Sequence, residues 1–303
     1  MPTSKTRKGS SWGIPTCESR SLKPLRRGPR DTVGPPIMSL KERLKSSLIG
    51  TPLQGPARRL ASWLKPRKWP AERLAAAEEE RIDRLLPLVL RPDDNCVDVG
   101  GHLGSFLADF RRLAPRGRHV AVEPVPHKAR WLRRKFPGVE VHELALGPAP
   151  SEATFSFMPR RSGYSGLRSR TSTANETAVE LHVQVARLDD IVPADRPIRF
   201  VKVDVEGAEL GVFQGATRLL GTSRPFVLFE CVAASFQLYE TTAEQVHRVL
   251  HDDCGLDVFL LQDWLEGRGP LDRAAFQAAT TPDDSGLVAA FNFLAAPGPR
   301  SAA

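Results

Sequence analysis

The pattern of apolar and polar positions divides the chain into an N-terminal stretch without periodicity and a body in which strand-like and helix-like segments alternate. Over residues 71–90, Leu74, Ile82, Leu85 and Leu86 recur at helical spacing, and the acidic run 78–80 falls to the wet side. Pro92 and Asp93 end that helix. The pattern then predicts a strand over 95–100, a helix over 104–113, a strand over 119–122, a helix through Trp131 and Phe136, and a strand over 139–146. Two strands, 153–157 and 181–188, flank a polar loop at 159–180. The alternation resumes with a strand at 199–205, a helix at 208–220, a strand at 225–231 and a helix at 242–251. Strands over 256–261 and 287–295 close it. Repeated βα units give a mostly parallel sheet with helices on both faces, and the closing pair places an antiparallel strand near one edge.

Charge sharpens the division. Residues 1–70 carry 16 Lys and Arg against 3 Asp and Glu, leaving 27 basic and 32 acidic residues for the remainder, so the net +8 resides in the N-terminal stretch. A basic domain face would suggest nucleic acid, but here the positive charge coincides with Pro, Gly and Ser, which argues against nucleic acid as the principal substrate. We expect a disordered basic tail at 1–37, a helical extension at 38–91, a catalytic domain at 92–296 and a disordered end at 297–303. The tail has three readings: a genuine extension, a stretch upstream of a true start at Met38, or an Arg- and Ser-rich targeting segment. Cys17, Cys96, Cys231 and Cys254 show no metal-type spacing, which fits a reducing compartment. No apolar run approaches the ~18 residues of a membrane helix, so the expected location is cytoplasmic.

Candidate chemistry clusters at strand ends. The first strand runs into Asp98-Val-Gly-Gly-His-Leu-Gly104, at the turn where a doubly wound sheet binds its ligand. Gly100, Gly101 and Gly104 fit a dinucleotide turn only loosely; they fit the acidic-x-Gly-x-x-x-Gly turn of methyltransferases better. Glu123, about twenty residues on, ends the second strand beside Pro124, where an acid can accept bonds from ribose hydroxyls. Both features suit a nicotinamide cofactor equally, so an oxidoreductase or an inactive nucleotide-binding protein stays open on these alone. Lys202, Asp204 and Glu206 then alternate onto one face of a strand that should be apolar, and the next strand ends in Glu230. Such charges are tolerable at a carboxyl end facing a cleft.

Together these residues resemble the FkbM-type methyltransferase family over about residues 92–235. The family's most distinctive run appears as Lys202-Val-Asp-Val-Glu-Gly-Ala-Glu209. Glu123-Pro124, Ala145-Leu146-Gly147, Leu188-Asp189, Gly215-Ala216 and Arg224-Pro225 with Glu230 match its other motifs. Gly101 and His102 depart from its usual Ala-Asn. The resemblance implies a Rossmann-like, class I methyltransferase fold with a seven-stranded sheet. It implies S-adenosyl-L-methionine as cofactor, held by Asp98, Gly100, Gly101, Gly104, Glu123, Pro124 and Ala145. The acceptor it implies is a hydroxyl of a sugar, glycolipid or secondary metabolite, with Asp204, Glu206 and Glu230 as candidate bases and Lys202 holding them in place. Glu209 is either part of this cluster or a helix-start acid, and His102 a further candidate base. No His or Asn accompanies the acids in a ligand pattern, which favours a metal-free base over one assisted by a divalent metal.

Overall fold

The computed structural model describes residues 46–51, 69–159, 165–168 and 178–298. The expected tail at 1–37, the helix start at Met38, the loop residues Arg160, Arg161, Tyr164 and Arg170, and residues 299–303 lie outside the described residues.

Among the described residues the strands are β1 (Cys96–Val99), β2 (Val120–Val122), β3 (Glu140–His142), β4 (Ala145–Leu146), β5 (Ser151–Phe157), β6 (Val179–Ala186), β7 (Phe200–Val203), β8 (Phe226–Glu230), β9 (Leu256–Leu260) and β10 (Asn292–Pro297). Seven of them form one sheet in the order β3-β2-β1-β7-β8-β10-β9. Every pairing is parallel except those of β10, which runs antiparallel between β8 and the edge strand β9. The order reverses between β1 and β7, the place where such sheets bind ligands. The expected antiparallel strand near one edge is therefore present.

Alternation along the central strands sorts two cores. Val97, Val99, Val201, Val203, Val227 and Phe229 pack on one face with the helices Glu209–Gln214 and Thr217–Ser223. Cys96, Phe200, Leu228 and Leu294 pack on the other with Leu107 and Phe110 of the helix Ser105–Leu113. Leu85, Leu86 and Val89 of the helix Pro70–Val89 join this second core. No helix among the described residues is long and apolar enough to cross a membrane.

Four expectations change. The strand expected at 139–146 is two: β3 joins the main sheet, whereas β4 pairs with β6 in a separate sheet ordered β4-β6-β5. The strand expected at 199–205 is shorter, stopping at Val203, and Glu206 beyond it takes a left-handed backbone conformation, φ 57°. The helix expected at 208–220 breaks between Gln214 and Thr217. A Cβ on Gly215 would lie 2.2 Å from the carbonyl oxygen of Gly147, so the two backbones meet there. Asp189 then restarts the helix by accepting the N–H groups of Arg218 (3.0 Å) and Leu219 (2.9 Å). The Leu-Asp, Ala-Leu-Gly and Gly-Ala motifs thus form one structural joint. Finally, Glu78 is not on the wet side. It is buried, 2% exposed, and accepts hydrogen bonds from the Phe291 N–H (2.9 Å) and the Asn292 side-chain amide (2.8 Å) at the start of β10.

Candidate active site

The site is built where β1 and β7 end side by side. Asp98 and Lys202 are register partners, so their side chains leave the same face of the sheet. Lys202 Nζ lies 3.6 Å from Asp98 Oδ1 and 3.3 Å from Asp204 Oδ2. It also donates to the carbonyls of Gly100 (3.0 Å) and Val99 (3.4 Å), and sits 5.6 Å from the centroid of the Phe106 ring. Burial works against the lysine's charge, but Asp204 and Asp98 outweigh it, and Lys202 stays a cation above its ordinary range. Asp98 is wholly buried, which pushes its carboxyl up against the pull of Lys202.

The glycines have two duties. Gly100 has φ 78°, and a Cβ there would fall 2.0 Å from the backbone oxygen of Asp204. Gly104, at φ 84°, would meet the Phe136 ring at 2.2 Å. Both therefore let chain pack against chain where a side chain would clash. Gly101 packs against Leu132. His102 has φ 46°, in the region that Asn, Asp and His enter most readily.

That turn aims the His102 N–H at Glu123 Oε2 (2.8 Å), while the Val125 N–H reaches Oε1 (2.9 Å). Glu123 is buried at the end of β2, with Pro124 half-buried beside it. Burial raises its carboxyl, opposed most strongly by Lys128 and then by the two backbone bonds. Ala145 is buried with Val125, Phe155 and Phe157 beneath the second sheet. It lies behind the Glu123 turn, in β4 rather than at the end of the third sheet strand.

The acidic side of the site is more open. The Asp204 side chain is 38% exposed and its backbone N–H donates to Val99 (3.2 Å). Glu206 follows at the left-handed turn, and Glu230 ends β8 opposite Asn292. A Cβ on Gly166 would lie 3.9 Å from Glu206 Cβ and 2.9 Å from Tyr239 Oη, which accepts the Arg168 N–H (3.1 Å). Glu209 is separate: its Oε1 accepts Val205 and Gly207 N–H groups at 3.1 Å each, and burial raises its carboxyl to about 7. It staples the turn. Among the described residues no group of three His, Cys, Asp or Glu side chains is placed to hold a metal ion.

The sequence did not single out Lys128, Phe157 or Tyr239. Lys128 carried a signal: a cation in the first turn of a helix, where the dipole favours acids.

The acceptor oxygens suit a nucleoside that carries an amino acid with a free amino group. Asp98 Oδ1 is buried and takes no hydrogen bond, and each Glu123 oxygen holds one backbone N–H with lone-pair capacity remaining. A sheet of this order with this carboxylate pair at its switch point defines the class I methyltransferase fold. Residues 98–255, just over half of the chain, match the methyltransferase FkbM domain, and the chain belongs to that family. It is 31% identical to Methyltransferase 1 of Beauveria bassiana over 157 residues, 44% of this chain and 63% of that protein. It is 30% identical to Methyltransferase sdnD of Sordaria araneosa over 152 residues, 39% of this chain and 59% of that one. The matches thus span less than two thirds of either relative. A solved FkbM methyltransferase from Methylobacillus flagellatus KT aligns at 18% identity and TM-score 0.39, covering 72% of this chain and 56% of that one.

Proposed function

We propose that the chain transfers a methyl group from S-adenosyl-L-methionine to a hydroxyl oxygen of a small-molecule or carbohydrate acceptor. The observation that carries this reading is the Asp98–Lys202–Asp204 cluster at the switch point, one turn from Glu123. The cofactor, when bound, supplies an electrophilic methyl on a sulfonium. Asp98 would hold its amino group and Glu123 its ribose hydroxyls, with Lys202 positioning Asp98 from 3.6 Å away. In-line displacement then needs chiefly alignment. A hydroxyl nucleophile must also lose a proton. Asp204 takes that role, its Oδ2 held by Lys202 and its Oδ1 receiving the proton, with Glu206 and Glu230 as the further candidates. A divalent metal would be the other way to lower the hydroxyl's pKa, although among the described residues no three of these side chains are placed to hold one. Calorimetry with S-adenosylhomocysteine against NAD tests the cofactor. An acceptor panel of sugars, glycolipids and phenols, read by S-adenosylhomocysteine release, tests the acceptor. Binding of NAD alone would overturn the proposal, and methylation confined to carbon or nitrogen acceptors would overturn its oxygen half.

A further inference from the structure

Four residues other than glycine take a left-handed backbone among the described residues: His102, Glu206, Arg224 and Glu240. Two have an ordinary cause, since Arg224 closes the helix Thr217–Ser223 and Glu240 the helix Ala233–Tyr239. The other two stand just beyond β1 and β7, the strands that meet at the switch point. Strain of this kind gathers where the surrounding structure maintains it for function. At His102 it aims the N–H at Glu123 (2.8 Å). Glu206 has φ 57° and Gly207 beyond it φ 114°, so two consecutive residues of this turn leave the usual backbone. Glu209, 5% exposed, brackets the strained residue. Its Oε1 accepts the N–H of Val205 before Glu206 and the N–H of Gly207 after it, each at 3.1 Å. An N-cap acid would take N–H groups ahead of itself in the helix. These bonds run backwards, to residues four and two positions earlier, and so serve the turn. The front of the turn is fixed by the Asp204 N–H on the Val99 carbonyl (3.2 Å). Across from it runs Gly166, bridged to Ser156 by two backbone bonds (2.8 and 3.1 Å), and a Cβ there would lie 3.9 Å from Glu206 Cβ.

We infer that Glu209 is a positioning residue for Glu206: by holding the backbone N–H groups on both sides of it, Glu209 sets where that side chain stands relative to Asp204. The inference rests on the proposed role of Glu206 among the acids that face the methyl acceptor. Without Oε1 the Val205 and Gly207 N–H groups lose their partner, and the turn relaxes toward backbone that a glutamate prefers. Asp98 and Glu123, on β1 and at the end of β2, keep their places. An amide oxygen can take both N–H groups as a carboxyl oxygen does, so the positioning needs a hydrogen-bond acceptor and not a charge.

The test compares Glu209→Ala, Glu209→Met, Glu209→Gln, Glu206→Gln and the double variant Glu206→Gln with Glu209→Ala, in the full chain and each checked for folding by circular dichroism. Affinity for S-adenosylhomocysteine is read by calorimetry. Turnover, as kcat and KM, is read on the member of the sugar, glycolipid and phenol panel that the wild-type chain methylates fastest. Glu209→Ala and Glu209→Met should lower kcat roughly tenfold or more with affinity for S-adenosylhomocysteine unchanged. Glu209→Gln should restore kcat to near wild type. Added to Glu206→Gln, Glu209→Ala should lower kcat no further, because both act through one side chain. If Glu206→Gln is slow but Glu209→Ala folds and turns over as wild type, the two bonds merely pack the turn and the inference fails alone. Losses that add in the double variant, a Glu209→Gln as slow as Glu209→Ala, or a fall in S-adenosylhomocysteine affinity would each reject it too. If Glu206→Gln turns over as wild type, or no panel member is methylated, the reading of the acceptor side falls and takes this inference with it. Should Glu209→Ala fail to fold, Glu209→Met takes its place, alone and in the double variant. Should both fail to fold, Glu209 serves the fold and the positioning role is rejected.

Discussion

Asp98 and Lys202 face each other across neighbouring parallel strands as register partners, 3.6 Å apart and both almost wholly buried. Removing one member of such a pair strands the other in a low-dielectric site. Lys202→Met should therefore lower stability by about 3–5 kcal/mol, read from urea unfolding. Asp98→Asn combined with Lys202→Met should lose less than the two single losses added together. Strict additivity would mean the pair is not coupled.

Glu123→Ala removes a charged acceptor that two backbone N–H groups hold in place. Affinity for S-adenosylhomocysteine should fall by about 1.5–3 kcal/mol, measured by calorimetry on a folded variant. Unchanged affinity would move the ribose contact away from the end of β2.

Asp204→Asn and Glu206→Gln keep shape and remove charge at the open side of the site. Each should slow turnover roughly 10²-fold on the true acceptor with cofactor affinity retained. Chelator separates the two chemistries, since a carboxylate base survives it and a metal-assisted step does not. Normal turnover in both variants would make these acids structural.

Glu209 gives a pH signature of its own. Its folded carboxyl lies at about 7 against an ordinary 4.5, raised by burial. Between those values the folded chain binds more protons than the unfolded one, so stability from this group is greatest below about pH 4.5 and falls as pH rises to about 7. The full swing is about 3 kcal/mol by the same linkage. Glu209→Gln keeps the acceptor for Val205 and Gly207 and should flatten that slope in urea melts taken between pH 5 and 8. A persistent slope would assign it to another group.

Much of this site was legible from residue order because its chemistry sits at strand ends. Asp98, Glu123 and Lys202 interrupt apolar runs, and a charge there has few physical explanations. What the sequence concealed was backbone conformation and distant partners. Alternation through 202–206 suggested three side chains on one face, but the left-handed turn at Glu206 takes it off the strand. Gly100 and Gly104 were legible as glycines that permit a close approach, but not the chain partners they meet, the Asp204 backbone and the Phe136 ring. Residues 287–291 looked like the start of a strand, yet β10 begins only at Asn292, after a turn in which Asp283 accepts the N–H groups of Ser285 and Leu287. The helix Arg273–Thr280 went unseen, although Asp272, which accepts the Ala275 N–H at 2.8 Å, is an ordinary N-cap. Glu78 was assigned to water by its acidic neighbours, while its spacing of four and seven residues from Ile82 and Leu85 put it on the apolar stripe.

That buried glutamate also imposes an order of assembly. Its donors, the backbone and side chain around Phe291 and Asn292, emerge from the ribosome more than two hundred residues after Glu78 itself. Until they arrive, the helix that carries Glu78 cannot bury this face without stranding a carboxylate. The helix Pro70–Val89 must therefore stay open on this face until residues 291–292 have been made, and β10 is the piece that lets it close.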